Sequence, residues 1–290
     1  MTFGTAALVL ASAGMAWSQT AASPANQPAN QSIARMAPAK RGPQAKTKQE
    51  LDAYQSAAAQ SDPAKLEAAA TEFAQRYPAS ELRPFLFQRA MGLYQQANNP
   101  GKTLEMARAE LKYDPANPVA LLTAAQTLMT STHDSDLDRD ARLEEAGTDA
   151  RSALQHAGEM AQPDGLTAQQ FADAIAQLRG AAHEVIATVA YKKREYFNAI
   201  REYNAAVAEE RDADAVVWLR LAVAHDKVSE YELGLADAEK AIANSKAGNP
   251  VRELAEQEKA RLLELLTVKP AQKQSGISPA PGSGEGSHAN

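Results

Sequence analysis

The residues best spaced for chemistry are His133-Asp134-Ser135-Asp136-Leu137-Asp138-Arg139-Asp140, followed by Glu144 and Glu145. Asp134, Asp136, Asp138 and Glu145 occupy positions 1, 3, 5 and 12 of a calcium-loop pattern, where alternating carboxylates converge on a hard cation. Arg139 stands where that loop needs glycine for its sharp turn, and it sets a cation beside the ion. The competing reading is an exposed acidic turn that caps a helix over 141–156 and favours its positive end. His133, His156, His183 and His225 fall on different segments and form no ligand cluster by spacing. His183-Glu184 has Ala187 where a zinc-protease helix would carry its second histidine. No nucleophile elbow, phosphate-cradling glycine loop or dinucleotide fingerprint occurs, so no enzyme and no cofactor is read from these residues. The absence of cysteine removes disulfides, thiolate metal sites and a cysteine nucleophile.

The elements that must position such residues are written as a repeat. Ile186, Ala187, Tyr196, Ala199, Ala206 and Val207 return 35 positions later as Leu221, Ala222, Tyr231, Gly234, Ala241 and Ile242. Large residues return as large and small as small, which marks stacked units. Each copy reads as two helices. Ala187 opposite Ala199, and Ala222 opposite Gly234, let the two backbones approach closely, so Leu at Ala199 or Ala222 costs about 1–3 kcal/mol by overpacking.

These residues resemble a tetratricopeptide (TPR) repeat, whose pattern is W-x2-L-G-x2-Y followed by A-x3-F and P. The second copy matches at Trp218, Leu221, Ala222, Tyr231, Gly234 and Ala241; the first matches at Ile186, Ala187, Tyr196, Ala199, Tyr203 and Ala206. Arg211 and Lys246 replace the closing proline, and Ala190 and His225 replace an aromatic of the first helix. Upstream, Asp114-Pro115-Ala116-Asn117 resembles the family's D-P-x-N ending. The stretch 72–80 is similar to repeat endings in periplasmic TPR proteins of the outer-membrane assembly and Tol-associated kind.

The resemblance implies an all-α, right-handed α-solenoid of stacked antiparallel helix pairs with a C-terminal capping helix, spanning 46–268 in about five pairs. The expected helices are 46–60, 63–76, 82–97, 101–113, 118–130, 143–156 and 168–192, then the two repeats. Asp62 with Pro63, and Thr167, are the start signals. An amphipathic helix over 252–266 would close the last apolar face with Leu254, Leu262, Leu263 and Leu266. The basic run Lys192-Lys193-Arg194 ends a helix and complements its negative end.

It also implies that the first helix of each pair lines a concave groove. The groove residues would be Gln88, Gln95, Leu122, Gln126, Glu184, Thr188, Tyr191, Leu219, Val223 and Asp226. A polar groove with apolar spots suits an extended peptide or a helix. The expected function is therefore a non-enzymatic protein-interaction scaffold. The alternatives are an accessory subunit of an envelope or outer-membrane assembly, docked on a membrane-associated complex, and a calcium-dependent binder through the 134–145 loop.

Residues 1–18 read as an export signal: an apolar run over 3–15, then Ala16-Trp17-Ser18, with no basic residue before Arg35. The run is too short to span a membrane, so the mature chain would carry no transmembrane helix and would lie in the periplasm or outside the cell. Residues 19–45, rich in Pro, Ala, Gln and Asn, form a linker expected to be disordered, and 269–290 a second such tail. A net charge of −6 without a basic stripe argues against nucleic acid as a partner.

Overall fold

The computed structural model describes residues 43–163, 165–209 and 213–273, with side chains to 267. Among these residues there are eleven helices and no strand. The export-signal residues and most of the 19–45 and 269–290 segments lie outside the described residues. Two compact units divide between Arg211 and Asp212.

The first unit holds α1 (Lys48–Ala58), α2 (Pro63–Arg76), α3 (Arg83–Gln96), α4 (Pro100–Leu111), α5 (Pro118–Ser131), α6 (Arg139–Ala157), α7 (Ala168–Lys192) and α8 (Tyr196–Glu209). The starts follow the local chemistry. Asp62 accepts from the Lys65 amide at 2.9 Å and Pro63 takes the first helical position. Asn99 and Asn117 do the same ahead of Pro100 and Pro118. Thr167 and Gln170 form a reciprocal capping box at α7. Asn98 (φ 51°) turns the chain from α3 into α4, in a left-handed conformation that asparagine tolerates.

Every helix of this unit packs on the next in sequence, and α1–α3 and α5–α7 also touch across the hairpin between them. Short turns make neighbours antiparallel. This is an all-α, TPR-like solenoid order. Leu66, Phe73, Leu86, Phe87 and Met91 fill one core, and Leu121, Leu128, Leu143, Leu178 and Val185 another. Residues 43–47 are part of the first hairpins: the Gln44 amide donates to Glu81, and Ala45 packs on the first core.

The second unit holds α9 (Ala215–Lys227), α10 (Tyr231–Ala243) and α11 (Pro250–Lys273), each touching the other two. The small residues expected at the crossing are buried in both hairpins, and in the second the two backbones approach closely. Ala187 and Ala199 are fully buried between α7 and α8, as is Ala222 between α9 and α10. A Cβ built on Gly234 would lie 3.0 Å from the Ala222 carbonyl oxygen and 3.3 Å from Leu262 Cδ1.

Three expectations are corrected. Helix α6 begins at Arg139, four residues before 143, because the chain is already helical within the acidic string. The closing helix buries Val251, Ala255 and Leu262, while Leu254 and Leu263 flank that stripe and stay exposed. That helix also continues to Lys273, past the 268 boundary.

Candidate interaction surface

The enlarged turn between α5 and α6 decides how the acidic string is used. Thr132 Oγ1 donates to the Leu128 carbonyl at 2.6 Å and Ser131 Oγ to that of Thr127 at 2.6 Å, ending α5. The Asp136 carboxylate accepts from the His133 amide at 2.8 Å. Asp138 takes the cap position of α6 without a side-chain cap bond. Asp140 and Glu144 then fall in the first turns of the helix, where its dipole favours negative charge.

The four candidate cation ligands are not brought together. Arg139 Nε binds Asp134 at 3.1 Å, and Glu145 accepts from Arg108 Nη2 of α4 at 2.6 Å. Asp136 is tied into the turn and Asp138 sits at the helix start. Among the described residues no group of three His, Asp or Glu side chains is placed to hold a metal. The reason is Arg139: in place of a turning glycine it starts a helix and uses its guanidinium on Asp134 and Asp140.

Lys192 lies in the last turn of α7, as the basic run implies, and it also reaches the neighbouring hairpin. Lys192 Nζ donates to the carbonyls of Met129 (2.8 Å) and Thr132 (2.9 Å), closing the end of α5. Arg139 Nη2 donates in turn to the Lys192 carbonyl at 2.5 Å. Lys193 pairs with Glu144 and holds that carboxyl below its usual range. Arg194 is exposed and adopts φ 65°, in the turn to α8. Together the two turns frame a cleft of about 1200 Å³, lined among others by Leu137, Arg139, Tyr191, Lys193, Arg194 and Tyr196. Tyr191 and Tyr196 meet edge to face, with centroids 5.4 Å apart.

Each histidine among the described residues lies near a carboxylate. His133 Nδ1 lies 3.8 Å from Asp136, His156 Nδ1 3.2 Å from Glu159 and His183 Nδ1 2.9 Å from Glu202. Buried His225 sits between Glu230 (Nδ1, 2.8 Å) and Asp237 (Nε2, 3.5 Å). Burial raises the Asp237 pKa, and Lys240, which also lies over the Trp218 ring, opposes the shift. Two of these contacts join hairpins, His183 across α7 and α8 and His225 across α9 and α10, while His133 and His156 meet carboxylates three residues on.

The groove residues divide. In the first unit Gln95 is exposed, and Gln88, Gln126, Glu184 and Tyr191 are partly exposed. Leu122 and Thr188 are buried instead: Leu122 belongs to the second core, and Thr188 bonds the Tyr203 hydroxyl at 3.0 Å inside the α7–α8 hairpin. In the second unit Leu219 and Val223 are partly buried. The Asp226 side chain, 8% exposed, is covered by α11, whose Arg261 pairs with it. The sequence reading named neither Leu137 nor Tyr196 nor Arg194 as surface residues. An aliphatic side chain isolated among four aspartates was the one available signal.

The fold and this surface define a TPR-like helical-hairpin protein with an enlarged turn at one edge. No family model matches the chain, and no curated protein matches it. Among solved structures it is similar to MamA protein at 14% identity, over 68% of this chain and 98% of that one, with a TM-score of 0.42. It is similar to BtubC from P. vanneervenii at 16% identity, over 84% and 99% of the two chains, with a TM-score of 0.43. A tetratricopeptide repeat protein from Parabacteroides merdae gives 16% identity, 77% and 94% coverage and a TM-score of 0.35.

Proposed function

We propose that the protein is a non-enzymatic scaffold for protein–protein interaction, which receives an extended peptide or a helix on the exposed faces of α3, α5 and α7. One observation carries this reading. The apolar sides of these helices are used up in two cores, while Gln95 stays exposed and Gln88, Gln126, Glu184 and Tyr191 stay partly exposed between buried Leu122 and Thr188. Such a row offers amide donors and acceptors and a tyrosine to a main chain or a helix face. His183 and His225, which would otherwise suggest chemistry, are engaged in hairpin contacts, and Asp134 of the acidic turn is paired with Arg139.

The apolar run at 3–15 supports export, and with it a place in the periplasm or outside the cell. Among the described residues no helix is long and apolar enough to cross a membrane. The test is site-specific photo-crosslinking in the native cell. Photoreactive residues at Gln95 and Gln126 of the full chain should give a discrete crosslinked protein, and one at Glu72, exposed on α2, should not. Equal crosslinking at all three positions would overturn the reading.

A further inference from the structure

The cleft beside the enlarged turn shares only Tyr191 with that groove reading, and its charge is layered by depth. Its cations are the sheltered partners: Arg139 is 22% exposed against 94% for Asp134 and 86% for Asp140, and Lys193 26% against 62% for Glu144. Arg139 is also engaged inward, on the Lys192 carbonyl, and Lys192 on the carbonyls of Met129 and Thr132. Asp138 adds a further exposed carboxylate, and Arg194 is the one exposed lysine or arginine of the lining. The rim therefore presents negative charge outward around an apolar centre of fully exposed Leu137 and the Tyr191–Tyr196 pair. A lysine or arginine suits such a surface, with its stem on the apolar centre and its head at the carboxylates.

The chain itself supplies that chemistry. Residues 1–49 contain Arg35, Lys40, Arg41, Lys46 and Lys48 and no aspartate or glutamate, leaving 25 cations against 36 carboxylates in the rest. Residues 33–42, outside the described residues, place Arg35, Lys40 and Arg41 among Ile33, Met36 and Pro38. We infer that residues 33–42 dock in this cleft, with their cations on the rim of Asp134, Asp138, Asp140 and Glu144 and with Ile33 and Met36 against Leu137 and the tyrosines. This part of the linker then shields the cleft, in its own copy or in a second one.

The test is amide exchange of the full chain against a variant carrying Arg35→Glu, Lys40→Glu and Arg41→Glu, which leaves the cleft untouched. Exchange over 132–141 and 191–196 should speed up at least about threefold, as local openings lose a partner that binds only the closed form. Exchange over α2 and α3 should not change. A synthetic peptide of residues 31–44 added to that variant should restore the slow exchange, and 0.5 M salt should weaken this by screening exposed pairs. Replacing Asp138 with Asn, which leaves the Arg139 pairs with Asp134 and Asp140 in place, should reproduce part of the speeding with the wild-type 33–42 segment and add nothing to the reversed one. Equal exchange in the two full chains, or a peptide without effect, overturns the proposal. Concentration dependence tells docking by a second copy from docking within one, and either arrangement satisfies it. The groove reading is read separately, from crosslinks at Gln95 and Gln126.

Discussion

Two glycines in helix interiors make opposite predictions for the same substitution. Gly92 lies in α3, and a Cβ added there meets nothing within 4 Å. Gly92→Ala therefore gains only the helix preference of alanine and should stabilise by about 0.5–1 kcal/mol. Gly234, in the first turn of α10, gains less from the same preference and meets two immovable neighbours. The backbone oxygen of Ala222 would stand 3.0 Å from its Cβ, and Leu262, fully buried, 3.3 Å away. Neither can swing aside, so α9, α10 or α11 must shift by a few tenths of an ångström. Overpacking of this kind costs about 1–3 kcal/mol, which exceeds the propensity gain, and Gly234→Ala should destabilise by about 1 kcal/mol. The matching position in the preceding repeat is Ala199, so the α7–α8 crossing accepts a methyl group that α9–α10–α11 does not. Urea unfolding of the full chain, with exchange rates read separately over α3 and α10, measures both effects. If Gly234→Ala stabilises as much as Gly92→Ala, the close approach of these backbones is wrong.

Three further outcomes follow from single side chains. Burial, with Asp114 adding to it, pushes the Glu110 carboxyl up to about 8, and neither of its oxygens has a hydrogen-bond partner among the described residues. Because its folded pKa is raised, the stability it contributes is full below about pH 4.5 and is lost as pH rises through about 8. Glu110→Gln should therefore gain on the wild type by roughly 2–5 kcal/mol between pH 5 and pH 9 in urea unfolding, and a constant difference would refute this. Tyr203→Phe removes the bond to Thr188 and should cost about 0.5–1.5 kcal/mol in thermal unfolding, with no effect if that bond is absent. Lys192→Met uncaps two carbonyls of α5 and should speed amide exchange in its last turn while leaving α2 unchanged.

The hairpins were legible because their signals are local. Spacing revealed the small pairs 187/199 and 222/234, and cap chemistry at Asp62 and Thr167 marked helix starts that the structure keeps. What escaped depends on contacts far apart in sequence. Asp226 reads as a groove carboxylate until Arg261 of α11 covers it. Thr188 reads as a surface residue until Tyr203 meets it across the hairpin. In α11 leucines occur around much of the helix, so periodicity alone could not choose Leu262 over Leu254 and Leu263 as the buried one. The start of α6 was misplaced because Arg139 and Asp140 are polar, and helical periodicity begins only at Leu143. The cleft was missed because its two walls, 132–141 and 191–196, lie some fifty residues apart and meet only through Lys192 and Arg139.

The chain contains no cysteine, so single cysteines can be placed and labelled without background. A maleimide accessibility scan of the folded full chain tests directly which helix sides face inward and which await a partner. Cysteines replacing Gln88, Gln95 and Gln126 should label rapidly, and those replacing Leu122, Ala187, Thr188, Ala199 and Ala222 only after denaturant is added. Rapid labelling at 187, 199 and 222 in the native chain would show that the helices do not cross on those residues, and the account built on that crossing would fall.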